Sequence, residues 1–247
     1  MKYLITLMFV FGCVYSQAQT FTYFKKVITS DTATGVFANV KSIDNHFYII
    51  GTWGVSMEDK SVSFVKLDSV GNIIKSTIID TTAELSTTFI NQSSIITSDR
   101  NLIHSYSVLF EDKPMAKDIR MTKVNTVGEV LWQHTYGNEY NNTLRQLIGN
   151  EDSTSLIVGF SQNLINLEPA EFYVIKVDTN GEVIWENTFG WEAGNAIATS
   201  AVATPDGGYL VAGGFQSSYS TRWFLKLLIF VNKYTLNEAF LLVKHSN

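Results

Sequence analysis

The chain has 247 residues, with 18 Lys+Arg against 23 Asp+Glu; the formal charge of −5 removes the basic excess that nucleic-acid binding by counterion release requires. Hydrophobic residues make up 45% and charged residues 17%, the latter below the ~25% of an ordinary soluble domain, so a packed core is expected and intrinsic disorder is excluded. One cysteine and three prolines permit neither a disulfide framework nor a cysteine-based zinc site.

The amino terminus reads as an export signal over residues 1–18. Lys2 is followed by an apolar run from Tyr3 to Tyr15, shorter than the ~20 residues of a spanning helix, and Ser16-Gln17-Ala18 gives a small-x-small pattern for cleavage after Ala18. A minority reading acylates Cys13 within Val10-Phe11-Gly12-Cys13 as a lipid anchor. Both place the folded part outside the cytoplasm, extracellular or at the cell surface with the periplasm as the lesser case, and neither leaves a transmembrane span in the mature chain.

Residues 19–227 carry a repeat. The segments Phe64 to Lys75, Met121 to Trp132 and Val174 to Trp185 share one pattern, apolar-x-Lys-apolar-Asp/Asn-x-x-Gly-x-apolar-apolar-Trp/Lys. Upstream, YIIG, LIHS, LIVG and LVAG end at Gly51, Ser105, Gly159 and Gly213, each 54 residues from the last. A third motif follows the tryptophan, in WQHTYG ending at Gly137 and WENTFG ending at Gly190. Within Phe172 to Asp178 the alternation puts Tyr173, Ile175 and Val177 on one face of a strand and Phe172, Val174 and Lys176 on the other. Asp178-Thr179-Asn180-Gly181 supplies a tight turn into the next strand, and Pro205-Asp206-Gly207-Gly208 another. Four short strands in each period, without convincing helical periodicity between signal and tail, predict an all-β fold: a β-propeller of about four four-stranded blades.

Trp132 and Trp185 open the outermost strand of a blade, where a large ring covers the edge of its neighbour. The repeated Lys66, Lys123, Lys176 and Lys226 are read as pairing locally with an acid of their own blade or keeping the strand soluble, in preference to forming a basic ring on one rim. His46, His104, His134 and His245 fall at unrelated repeat positions, so no metal site is expected. No phosphate loop, nucleophile elbow or dinucleotide fingerprint occurs, and no cofactor is expected.

K-x-D-x-x-G-x-x-x-W followed by T-[FY]-G, with P-D-G-G-Y and L-V-A-G, resembles the propeller repeats of secreted bacterial proteins that often end in a type IX secretion sorting domain. The match runs from about Phe21 to Leu227 and is strongest from Met121 onward. It implies a surface or extracellular propeller, generally without an assigned activity. V-D-T-N-G-E-V-I-W is also similar to the shorter tryptophan-docking repeats of pyrroloquinoline-quinone propellers and outer-membrane assembly lipoproteins.

The fourth copy breaks its pattern after Leu227: the turn is missing, and Trp223 to Asn247 contains no Gly, Pro or Asp. Residues 228–247 are therefore read as an atypical tail, with truncation or frame-shift favoured over a native closing element and no sorting domain remaining. The fourth blade then lacks an outer strand of its own, and Phe21 to Ile28, aligned with WQHTYG, is the expected substitute in a closed ring of four. The rival is an arc cut from a larger propeller, whose uncovered blade face predicts self-association.

The span from the glycine motif to the repeat lysine varies in length, whereas the span from lysine to tryptophan is constant. Length variation therefore collects on one rim, together with the connections Asp80 to Ser86, Gly137 to Asn142 and Gly190 to Asn195. These loops carry Trp53, Glu58, Asp59, Glu111, Asp112, Tyr140, Trp191 and Glu192, an aromatic and acidic set suited to stacking on sugars or accepting a basic segment. The first expectation is an exported, non-enzymatic propeller scaffold that binds a protein or glycan through this rim, with no catalytic residues. The alternatives are a carbohydrate-active propeller enzyme using rim carboxylates, or a quinoprotein-like or assembly propeller.

Overall fold

The computed structural model describes residues 34–54, 60–81, 93–110, 113–190, 194–217, 223–231 and 234–241. They form four four-stranded antiparallel sheets and no helix. The first sheet runs β1 (Thr34–Ile43), β2 (His46–Gly54), β3 (Lys60–Leu67), β4 (Ile73–Asp80). The second runs β5 (Ser93–Ile96), β6 (Leu102–Phe110), β7 (Lys113–Val124), β8 (Val130–Tyr136). The third runs β9 (Asn141–Gly149), β10 (Ser155–Gln162), β11 (Glu171–Val177), β12 (Val183–Phe189). The fourth runs β13 (Gly194–Ala203), β14 (Tyr209–Ser217), β15 (Trp223–Val231), β16 (Tyr234–Leu241). Inner strands β1, β5, β9 and β13 contact one another in that order, which is the blade arrangement of a propeller.

The core lies between the blades. Tyr173, Ile175 and Val177 join a cluster with Ile103, Ile119, Met121 and Leu144 against the second sheet, while Phe172 and Val174 join Ala196, Ala198 and Val211 against the fourth. One strand thus feeds two cores, because side chains alternate across a sheet that is covered on both faces. A third cluster, with Ile50, Phe64, Tyr106 and Val108, seals the first sheet to the second. Each such side chain contributes ~1.5–3 kcal/mol by leaving water.

The glycine motif has a steric cause. The pairing of β9 with β10 skips Arg145, and that of β13 with β14 skips Thr199, so each inner strand bulges opposite the motif. A Cβ on Gly159 would run into the Thr143 carbonyl and one on Gly213 into the Ile197 carbonyl. The Asp-x-x-Gly turns are closed by their own acid: Asp178 Oδ1 accepts the backbone N–H of Asn180 and Glu182, each at 2.8 Å, and Gly181 takes φ 83°. Asn125 Oδ1 does the same for Val127 and Glu129.

Those turns also dock on the preceding blade. Trp132 Nε1 donates to the Thr179 carbonyl at 3.2 Å and Tyr136 Oη to the Gly181 carbonyl at 2.7 Å. Trp185 meets Tyr209 of the fourth sheet edge-on, with ring centroids 6.3 Å apart. Lys123 pairs with Asp99 at 2.8 Å and Lys176 with Asp152 at 3.3 Å, each within its own blade; Lys66 instead lies 5.5 Å over the Tyr48 ring.

The tail differs from expectation. β15 continues through Leu227 to Val231 and β16 pairs with it antiparallel, giving the fourth sheet its own outer strand. The expected substitute, Phe21 to Ile28, lies outside the described residues, as does the export signal.

Candidate carboxylate cleft on the loop rim

The antiparallel order sends alternate connections to opposite ends. The tight turns at 44–45, 68–72, 97–101, 125–129, 150–154, 178–182 and 204–208 share one end. The described connections at 137–140 and 163–170 share the other. At that second end a cleft of about 450 Å³ is lined by Tyr140, Ser161, Asn163, Glu168, Glu171 and Gly190.

Each wall has a local origin. The connection from β10 to β11 is a compact turn in which Asn163 Oδ1 accepts the N–H of Ile165 and of Asn166 at 3.1 Å each, while the Asn163 carbonyl accepts the Glu168 N–H at 3.1 Å. Its far end is tied to β13: Asn195 Oδ1 accepts the Ala170 N–H at 2.8 Å and the Ala170 carbonyl accepts the Ala196 N–H at 2.7 Å. Glu168 and Glu171 are thereby held by a fixed loop, not a free one. Asn142, Ser161 and Glu171 occupy one register row across β9, β10 and β11, and therefore one face.

An acid at this position occurs in two of the four copies. Asp118 and Glu171 each stand five residues before a repeat lysine, Lys123 and Lys176. Each lies against the glycine that ends T-[FY]-G: a Cβ on Gly137 would strike the Asp118 carboxylate, and one on Gly190 the Glu171 carboxylate. In the first sheet, counting from Lys75, that glycine position is Asp80, and its carboxylate points into the seam with the second sheet, where Arg120 Nη1 reaches it at 2.8 Å.

Ser161 on the cleft wall is 3% exposed and its hydroxyl has no hydrogen-bond partner; Asn142, opposite it in the register row but outside the lining, is fully buried and its Oδ1 has none. Leaving such a group unmatched costs ~1–3 kcal/mol. The Tyr140 phenol is held above its ordinary pKa, first by the Glu139 carboxylate and further by Glu168 and Glu171, so it stays a neutral donor among acids. None of the inner strands β1, β5, β9 and β13 contains Asp or Glu, so the carboxylates of this cleft come from the β10–β11 connection and the start of β11.

Of the rim residues expected from the sequence, Tyr140 lines this cleft. Trp53 is placed by its backbone in β2, opposite Gly35 and Ser61. Glu58, Asp59, Glu111, Asp112, Trp191 and Glu192 lie outside the described residues. Glu168, Glu171, Ser161 and Asn163 were not among the expected set. The signal for Glu171 was present in the repeat, as the acid five residues before the lysine.

No protein-family model matches the chain, and no curated protein matches it. Solved structures do. The subtype N10 neuraminidase-like protein of A/little yellow-shouldered bat/Guatemala/060/2010 is similar at 13% identity and TM-score 0.49, over 85% of this chain and 59% of that one, so this chain spans less than two thirds of its length. A thermostable family-43 glycoside hydrolase is similar at 13% identity and TM-score 0.44, over 84% of this chain and 72% of that one. Levansucrase from Bacillus subtilis is similar at 8% identity and TM-score 0.44, over 79% and 66%. Likeness at these identities speaks to the fold alone. The expectation of a non-enzymatic scaffold is not carried forward: the rim presents a cleft lined by Glu168 and Glu171, and several of the similar structures are named as a glycoside hydrolase, a levansucrase, a galactosidase or an endo-arabinase, which is a statement about those proteins.

Proposed function

We propose that the chain is a carbohydrate-active propeller that works at the loop rim through Glu168 and Glu171. The observation that carries this reading is the cleft itself, in which two glutamates and a neutral tyrosine share one recess with the unpaired Ser161 hydroxyl. Sugars present hydroxyl donors and acceptors around an apolar ring face. Carboxylates, Asn163 and Ser161 answer the hydroxyls, and the Tyr140 ring offers a stacking face.

Glycosidic cleavage needs one carboxyl group to protonate the leaving oxygen and a second to attack the anomeric carbon or activate water. Glu168 on the loop and Glu171 at the start of β11 fill those roles in this reading. A carboxyl separation of about 5–5.5 Å on the bound sugar would retain configuration and one of about 6.5–9.5 Å would invert it. The resemblance to secreted bacterial repeat propellers and the Lys2 to Tyr15 segment support action outside the cytoplasm, on glycans of the surface or medium.

The test is turnover of a polysaccharide and aryl-glycoside panel by the purified full chain. Glu168→Gln and Glu171→Gln are each expected to lower kcat by about 100-fold or more at unchanged Tm. Absence of turnover on the whole panel, or turnover indifferent to both changes, overturns the reading.

A further inference from the structure

We propose that the opposite end of the molecule, where the tight turns gather, holds a second binding site, for a sugar that carries a carboxylate, of the uronic-acid class. A cleft of about 400 Å³ there spans three sheets, with Lys41 on the first, Ile96, Thr97 and Ser98 on the second, and Ser153 and Thr154 on the third. That size suits a small ligand, for which pockets run roughly 300–1,000 Å³. Its walls are tied to one another across the blades. The Ser98 and Ser153 hydroxyls meet at 2.6 Å, Asn150 Nδ2 donates to Tyr209 Oη of the fourth sheet at 2.8 Å, and the Arg100 guanidinium pairs with Asp44 in the turn of the first. A mouth held in this way needs little ordering when a ligand enters.

The lining chemistry selects the ligand. Lys41 is half-buried and no acid pairs with it among the described residues; the carboxylate of the lining, Glu151, stands two sheets away and makes no ion pair with it. An ammonium held partly out of water gains more from an adjacent anion than a fully solvated one does. The hydroxyls have their hydrogens largely committed. Thr154 Oγ1 donates to Asp152 Oδ1 at 2.5 Å while accepting from Asn150 Nδ2 at 2.9 Å. The single Thr97 hydrogen goes to the Asp99 carboxylate or to the Asn101 carbonyl, and one of the Ser98 and Ser153 hydroxyls donates to the other. What they offer a ligand is mainly lone pairs, to which Glu151 adds its two oxygens. A polyhydric ligand supplies the donors this set lacks, and Ile96, 41% exposed, gives the C–H face of a sugar ring an apolar surface to lie on. A neutral sugar leaves the Lys41 ammonium unmatched, and a simple anion leaves the hydroxyl oxygens unmatched; a uronic acid answers both. The site shares no residue with the Glu168 and Glu171 cleft and does not depend on what that cleft does.

The experiment is calorimetric titration of the full chain with galacturonate and glucuronate, and with galactose and glucose as their neutral parents. Saturable uronate binding is expected at a Kd of about 10⁻³ M, about 5-fold tighter than the neutral sugars, with the preference lost at about 0.5 M salt. Lys41→Gln is expected to remove the preference and Lys41→Arg to keep it, both at unchanged Tm; should Lys41→Gln fail to fold, the salt dependence decides the matter. No saturable heat with either uronate up to about 20 mM, equal affinity for the neutral sugars, or a preference that survives Lys41→Gln or high salt overturns the proposal. Uronate binding that disappears in Glu171→Gln would place the sugar in the loop-rim cleft and overturn it equally.

Discussion

Tyr106 Oη donates to Asp80 Oδ2 at 2.6 Å, and Arg120 Nη1 donates to the same oxygen at 2.8 Å, so one carboxylate of the first sheet serves two donors of the second. The side chains of Arg120 and Asp80 are 11% and 5% exposed. Removing one member of a buried pair strands the other charge, at a cost of about 3–5 kcal/mol, whereas replacing both by apolar groups of similar size is close to neutral. Asp80→Ala is therefore expected to lower unfolding free energy by about 3–5 kcal/mol, and Asp80→Leu combined with Arg120→Met by much less. Urea unfolding of Asp80→Leu, Arg120→Met and their double checks this; additive losses would show that the pair does not act as a unit.

Gly181 and Gly207 adopt the same backbone conformation, φ 83° and 80°, in different surroundings. A Cβ on Gly181 would lie 2.6 Å from His134 and 3.0 Å from Trp132, while one on Gly207 meets nothing within 4 Å. Gly207→Ala is expected to cost only the left-handed backbone strain, ~1–2 kcal/mol. Gly181→Ala adds displacement of the tryptophan cover and is expected to cost about 2–4 kcal/mol. Equal losses in Tm would mean that the docking of this turn on the preceding blade contributes nothing.

Much of this architecture is legible in the sequence because propeller blades repeat their steric problems. Within the 54-residue spacing of Gly51, Ser105, Gly159 and Gly213, the three glycines mark where an inner strand bulges, and Asp178 to Gly181 reads as a turn because its acid binds its own backbone. The outer strand of the fourth blade was not legible. Its β15 to β16 hairpin has no Asp-x-x-Gly turn, so a reading that depended on turn chemistry stopped at Leu227 although the run beyond it is rich in strand-forming residues. The cleft was half legible. Loop-length variation singled out the end where this cleft lies, but Glu168 and Glu171 come together with Tyr140 through a loop tied to Asn195, a contact between blades that no local pattern announces.

His104 provides a pH test of the second blade. Its ring is fully buried, shares a 2.7 Å hydrogen bond with Ser94 through Nδ1 and stacks on Tyr106 at 5.4 Å. Burial pushes its pKa down from 6.5 to about 3. The unfolded chain takes up this proton as pH falls through about 6.5 and the folded chain does not until about 3, so the contribution is complete above that window and lost within it. The expected loss is about 1.4 kcal/mol per pH unit between about pH 6 and 4. Urea midpoints at pH 7 and 5 should separate the natural chain from His104→Leu, which lacks that slope; the same slope in both would assign the acid sensitivity to another group.

Leu167 closes the loop that carries Glu168, and it does so with a positive φ of 54° and 83% of its surface exposed. A leucine gains little from burial at such exposure and bears the left-handed strain of ~1–2 kcal/mol that glycine avoids. Glycine loses more chain entropy on folding, which offsets part of the gain, so Leu167→Gly is expected to stabilise by only about 0.5–1 kcal/mol. Asparagine tolerates this conformation with less entropic loss and should do as well. Since the loop is fixed by Asn163 and Asn195, neither change should disturb the cleft. A higher Tm with unaltered glycan turnover is the expected pair of results. A lower Tm would mean that the exposed leucine has a contact to protect, and the apolar tip of this loop would then belong to the binding surface.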